Sequence, residues 1–363
     1  MIFMDASLRI ARIAGIDVMI HWSLFIILFV LSSYFYVTSS PFGFANLAEF
    51  ERIVFSVLAS VFVFVAVLLH ELAHSLVAMR YGVKVRGIVL FIFGGVAMME
   101  KIPKNPKEEL AIALAGPLTS LLIALLSFFA ALITAGGISM FFLISAYFNA
   151  ILAGFNLIPA FPMDGGRVLR SLIARRTSYS KATKTAAGIG KAIAVAMGII
   201  GFFGLNIWLL LIALFIYLGA SEEEKIVTAE DLFSRFSIGD IMTRTVISVS
   251  PETKVGEVID LMFRYKHLGY PVVKDGELVG IVTLKDIMHA DPNAKVEDVM
   301  TKEVITLKPE DPAFEAFRIM SERDIGRIPV VENGKIAGIV SRSDLMKIRE
   351  LLEFSEVLEW KRS

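Results

Sequence analysis

The sequence predicts a membrane-embedded helical bundle followed by a soluble α+β domain built from two copies of one unit. Three observations carry this. Of 363 residues, 56% are hydrophobic and 20% charged, too apolar for an ordinary soluble chain. The apolar residues concentrate before residue 222, in runs that reach the ~20 residues a bilayer crossing needs. Beyond that point Ile238–Ala290 aligns without a gap on Val296–Ile348 at an offset of 58, with 18 identities in 53 positions. Such regular self-similarity marks a duplication.

The apolar runs cover about 16–38, 53–78, 109–134 and 139–160. A fifth, about 185–220, is too long for one span and carries Gly201, Gly204 and Asn206 near its centre. Divided there, it brings the count to six helices. Arg9 and Arg12 precede the first run, but no small-residue cleavage site follows it, so it reads as a retained helix and not a signal peptide. Between the second and third spans, Val83–Met99 is short and β-branched ahead of Gly94-Gly95, which predicts a β-hairpin.

Loop charges give an orientation. Arg80, Lys84, Arg86, Lys101, Lys104 and Lys107 follow the second span, and Arg167, Arg170, Arg175, Arg176, Lys181 and Lys184 follow the fourth. On the alternate side Arg52 is the one basic residue. The positive-inside rule makes the basic loops, both termini and the C-terminal domain cytosolic. The zero net charge is a cancellation: residues 1–225 hold 17 Lys+Arg against 12 Asp+Glu, and the remainder 19 against 24. Neither half is basic enough to indicate nucleic acid.

There is no cysteine, so a metal site here must use His and carboxylate ligands. The second span ends in His70-Glu71-Leu72-Ala73-His74. Positions i and i+4 share a helix face, which lets both imidazoles reach one ion, with Glu71 beside them to accept a proton. Three ionisable residues in an apolar span are costly unless they face a polar interior. A third ligand is needed, and the one acid between Glu109 and Glu222 is Asp164, in Asn156-Leu-Ile-Pro-Ala-Phe-Pro-Met-Asp164-Gly-Gly-Arg167. The prolines and glycines break the fourth span at its cytosolic end, the end of the second span that carries His74.

An H-E-x-x-H helix joined to N-x-x-P-x-x-P-x-D-G resembles the site-2 protease family of intramembrane metalloproteases. The likeness extends to His21-Trp22, Phe93-Gly-Gly-Val-Ala97 and Ala115-Gly-Pro117. Met163 stands where the family often has Leu, a conservative apolar change. The resemblance implies one Zn2+ held by His70, His74 and Asp164, with Glu71 as general base and Asn156 holding substrate or the oxyanion. It also implies transmembrane proteins as substrates, unwound to expose their carbonyls, with the free edge of the hairpin available to pair with them. His21 is a possible fourth ligand, though an interfacial His-Trp pair explains it more simply.

Each copy in the second half alternates β-branched runs with helix-period segments and resembles a CBS module, a unit that pairs around nucleotide clefts. The family's ligand-contacting residues map onto Thr283 and Asp286, and onto Ser341 and Asp344. That implies an adenosyl nucleotide (ATP, ADP or AMP) and a homodimer through the pair. Thr283 and Ser341 are equally good helix N-caps, with the aspartates at N3. The boundaries expected are a membrane domain at 1–222, a linker at 223–237, modules at 238–290 and 296–352, and a helical tail at 353–363. A CBS-gated transporter or channel is the alternative, but it gives no reason for the His, Glu and Asp set at one depth.

Overall fold

A computed structural model describes residues 7–100 and 103–348. The chain divides into two compact units, Met1–Lys225 and Ile226–Ser363. The first opens on strands: β1 (Ser7–Ile13) and β2 (Ile16–His21) form an antiparallel hairpin. The helix expected from Ile16 therefore starts only at α1 (Ser23–Val37). Ile16 and Val18 are buried while Asp17 and Met19 are partly exposed, a period of two that the high total hydrophobicity concealed.

Next come α2 (Glu49–Arg80), β3 (Val85–Phe91), β4 (Gly94–Met99), α3 (Pro106–Ile133), α4 (Gly136–Asn156), α5 (Asp164–Ala174) and α6 (Tyr179–Phe203). The helix α7 (Ile207–Phe233) carries the chain into the second unit. Among the described residues, α2, α3, α4 and α6 are long and apolar enough to cross a membrane, which makes this a multi-pass membrane protein. The 15 residues of α1 extend about 22 Å, less than the ~30 Å hydrocarbon core.

Small side chains bring these helices close: Ala59 and Ala66 on α2, Ala124 and Ala131 on α3, and Ala146 and Ala153 on α4 are buried. Ser127 and Ser145 share a 2.8 Å hydrogen bond between α3 and α4. Small residues and hydroxyl bonds are what hold helices together where lipid removes the hydrophobic drive. The strands form one sheet in the order β1-β2-β3-β4, with β2 and β3 parallel. Hence β3 is interior, and the free edge of the hairpin is β4.

In the second unit, α8 (Ile238–Ile241), α9 (Val255–Tyr265), β5 (Gly269–Lys274), β6 (Glu277–Thr283) and α10 (Leu284–Ile287) form the first copy. Its repeat comprises α11 (Val296–Val299), α12 (Ala313–Arg323), β7 (Arg327–Glu332) and β8 (Lys335–Ser341). The sheet order is β5-β6-β8-β7, and the copies interlock. Ile238 and Ile241 of α8 pack in the core of the second copy, and Val296 of α11 in the core of the first. Thr243 bridges Ile339, and Thr301 bridges Ile281. A packed module is therefore not one contiguous repeat. Residues 223–233, within the expected linker, are helical as the end of α7. Leu345 joins the second core, with Ile348 packed against it; the tail expected at 353–363 lies outside the described residues.

Candidate metal centre

Near its C-terminal end α2 presents His70 and His74 on one buried face. Between α4 and α5, Leu157–Met163 is a tight non-helical turn whose backbone bonds include Ala160 N–H to the Ile158 carbonyl (2.7 Å) and Met163 N–H to the Ala160 carbonyl (3.1 Å). Asp164 is the first residue of α5. Added Cβ atoms at Gly165 and Gly166 would overlap the backbone of residues 157–161, so only glycine lets α5 fold back this tightly. The turn thereby delivers Asp164 to α2.

Three ligand atoms converge. His70 Nε2 is 3.3 Å and His74 Nε2 is 3.0 Å from Asp164 Oδ2, and the two nitrogens are 3.1 Å apart. His74 Nδ1 lies 2.7 Å from the Ile112 carbonyl oxygen, and His70 Nδ1 lies 2.9 Å from Ser120 Oγ. The two outward nitrogens are thus tied to α3, and both Nε2 atoms face inward. The other carboxylate oxygen, Asp164 Oδ1, is 3.9 Å from Arg167 Nη1.

A carbonyl only accepts, so the proton of a neutral His74 sits on Nδ1 and its Nε2 lone pair confronts a carboxylate oxygen. Two acceptors at that distance need a positive charge between them, a proton on Nε2 or a bound metal ion. Tetrahedral zinc with bonds of 2.0–2.1 Å sets its ligands about 3.3 Å apart, and the three separations here match within a few tenths of an ångström. The tether from each outward nitrogen is the kind of support that fixes tautomer and ring orientation in metal sites. At Gly116 on α3 an added Cβ would fall on both Nε2 atoms, so α3 closes over the site only with glycine there. Among the described residues, His70, His74 and Asp164 form the metal-capable group; His21 is outside it, with its Nδ1 2.8 Å from Ser23 Oγ.

Glu71 is partly buried beside the ligands, facing β4: its Cγ lies 2.8 Å from where a Cβ on Gly95 would be. Asn156 ends α4 and gives an amide proton to the carbonyl of Leu152 at 3.0 Å. In the second unit, Asp286 Oδ2 accepts both the backbone N–H (2.7 Å) and the hydroxyl (2.6 Å) of Thr283. Asp344 Oδ2 does the same for Ser341, at 2.9 and 2.6 Å. Both pairs are complete capping boxes.

One group was missed by the sequence reading. Arg170, counted there as a cytosolic loop charge, is 2% exposed on α5 and bonded to Glu109 of α3, which is 0% exposed. Its guanidinium also pairs with Glu223 of α7 and lies between the rings of Phe161 and Tyr179. No spacing signalled it: Glu109 stands in the first turn of α3 beside Glu108, where acidic residues are ordinary.

A bundle of membrane helices with a buried His-His-Asp centre, and a glutamate on the same helix turn, defines a membrane metallohydrolase. Peptidase family M50 matches residues 58–136 and 130–197, and CBS domains match 238–293 and 296–350. A zinc metalloprotease of Methanocaldococcus jannaschii is 38% identical over 361 residues, which cover 98% of this chain and all of that one. The protein Rip3 of Mycobacterium tuberculosis is 33% identical, over 97% of this chain and 95% of its own length. The solved site-2 protease of M. jannaschii is 39% identical, covering 60% of this chain and 95% of that one, with a TM-score of 0.44. The chain belongs to the site-2 protease-like zinc metalloproteases of family M50, fused to a tandem CBS pair.

Proposed function

We propose that this protein hydrolyses peptide bonds in or near transmembrane segments of membrane proteins, with one zinc ion held by His70, His74 and Asp164. The observation that carries the reading is the convergence of the three ligand atoms while both outward imidazole nitrogens are tied to α3. Zinc supplies a Lewis acid that polarises a carbonyl and acidifies water. Glu71 takes the proton of the attacking water and returns it to the leaving amine. Asn156 keeps a second amide proton for the substrate or the oxyanion, and the β4 edge offers unpaired backbone groups to an unwound substrate.

Taking α1 and the apolar part of α7 as short spans gives six crossings, with the β3–β4 hairpin between the second and third. Lys84, Arg86, Lys104 and Lys107 still favour cytosolic termini and a cytosolic CBS pair under the positive-inside rule; Arg170, being buried, no longer counts toward it. The CBS pair binds an adenosyl nucleotide between its copies, near Thr283, Asp286, Ser341 and Asp344, supports a homodimer and adjusts proteolysis.

The test compares wild type with Glu71→Gln for zinc content and for cleavage of a model transmembrane substrate. Zinc at one per chain in both, with cleavage only in wild type, is expected. A zinc-free wild type overturns the metal site, and cleavage by the variant overturns the base.

A further inference from the structure

The ligand helix α5 is pinned by charges that the proteolytic reaction does not use. Arg170 sits six residues after Asp164 on that 11-residue helix. Its Nε bonds Glu109 Oε1 at 2.9 Å, and its Nη2 reaches the same oxygen. Glu109 lies one turn before Ile112, whose carbonyl holds His74, and α3 also carries Gly116 and Ser120 of the centre. One guanidinium therefore fastens the helix bearing the third ligand to the helix that orients the other two. A fork of donors held between two rings fixes direction as well as distance.

The second arm of the fork goes elsewhere: Nη1 pairs with Glu223 of α7. The next residue, Glu224, binds Lys191 of α6 at 2.6 Å. Glu109 takes Nε and Nη2 on one oxygen, its Oε2 having no hydrogen-bond partner, and leaves Nη1 to Glu223. Glu223 completes the charge and geometry around Arg170.

We infer that Glu223 is a positioning residue for the metal centre, acting through Arg170 and α5 on the placement of Asp164. This rests on the zinc reading above. Coupling carried through such contacts changes an affinity by about 3- to 30-fold.

Replacing Arg170 would leave Glu109 buried without its partner and risks the fold, so the test uses Glu223, whose side chain is 35% exposed. Zinc affinity of the full-length protein is measured by competition with a chelator for wild type, Glu223→Gln and Glu222→Gln. Glu222 lies on the same helix and pairs only outward, with Lys225, so it controls for loss of one charge. Glu223→Gln is expected to bind zinc about 3- to 30-fold more weakly and to recover its cleavage rate at saturating zinc. Glu222→Gln is expected to match wild type. Equal affinities in all three proteins, or equal losses in both variants, overturn the positioning role alone. A wild type that binds no zinc overturns the reading beneath it.

Discussion

His74 gives its Nδ1 proton to the carbonyl oxygen of Ile112, 2.7 Å away across the contact between α2 and α3. That bond cannot be removed by a side-chain substitution, but its counterpart can. Ser120 Oγ is 2.9 Å from His70 Nδ1, and Ser120→Ala deletes it without adding bulk. Loss of such outer support lowers metal affinity by roughly 10- to 100-fold. Chelator competition on wild type and variant measures it; an unchanged affinity means that packing alone orients the ring.

Gly116→Ala puts a methyl group where α3 meets both Nε2 atoms. Either α3 retreats or the imidazoles turn away, and both outcomes break the ligand set. The variant is expected to fold, with wild-type helix content by circular dichroism, and to contain almost no zinc by elemental analysis. Gly188→Ala, where an added Cβ meets nothing within 4 Å, serves as the control and should keep its metal.

The position of β3 decides where substrate pairing can be tested. Substitutions across Val85–Leu90 strike a strand bonded on both sides, to β2 and to β4, and so damage the sheet itself. The informative sites are Val96 and Ala97 on the β4 edge. Successive residues of an edge strand turn their backbone groups alternately inward and outward. One of Val96→Pro and Ala97→Pro therefore removes an outward N–H. That variant should lose most cleavage while retaining zinc; full cleavage by both would exclude strand addition at this edge.

Much of the centre was legible because its chemistry is local. Two histidines at i and i+4 share a face in any helix, and a turn rich in proline and glycine beside an aspartate announces a broken helix. The strand β2 was not legible as such, since Ile16–His21 runs straight into the apolar α1 and only burial separates a period of two from a hydrophobic run. The cluster of Glu109, Arg170 and Glu223 joins residues 53 and 61 positions apart, and no spacing rule links them. Arg170 looked like its exposed neighbours Arg175 and Arg176. The interlock of the CBS copies was hidden for a similar reason: identity between repeats reveals duplication but not which copy a short helix packs against.

The hydroxyls of the CBS pair separate two roles. Thr283 Oγ1 donates its proton to Asp286 Oδ2 at 2.6 Å, and Ser341 Oγ does so to Asp344. A hydroxyl has one proton, so neither can donate to a phosphate while it donates to its aspartate. Thr283→Ala should therefore destabilise the ligand-free protein by about 1 kcal/mol, the usual loss for an N-cap, visible as earlier thermal unfolding. Ser341→Ala should behave alike, because the two boxes share one geometry. If ATP, ADP or AMP binds through these hydroxyls, the same substitutions weaken binding as well. If binding falls while ligand-free stability stays at the wild-type level, the hydroxyls serve the ligand and the capping role is refuted.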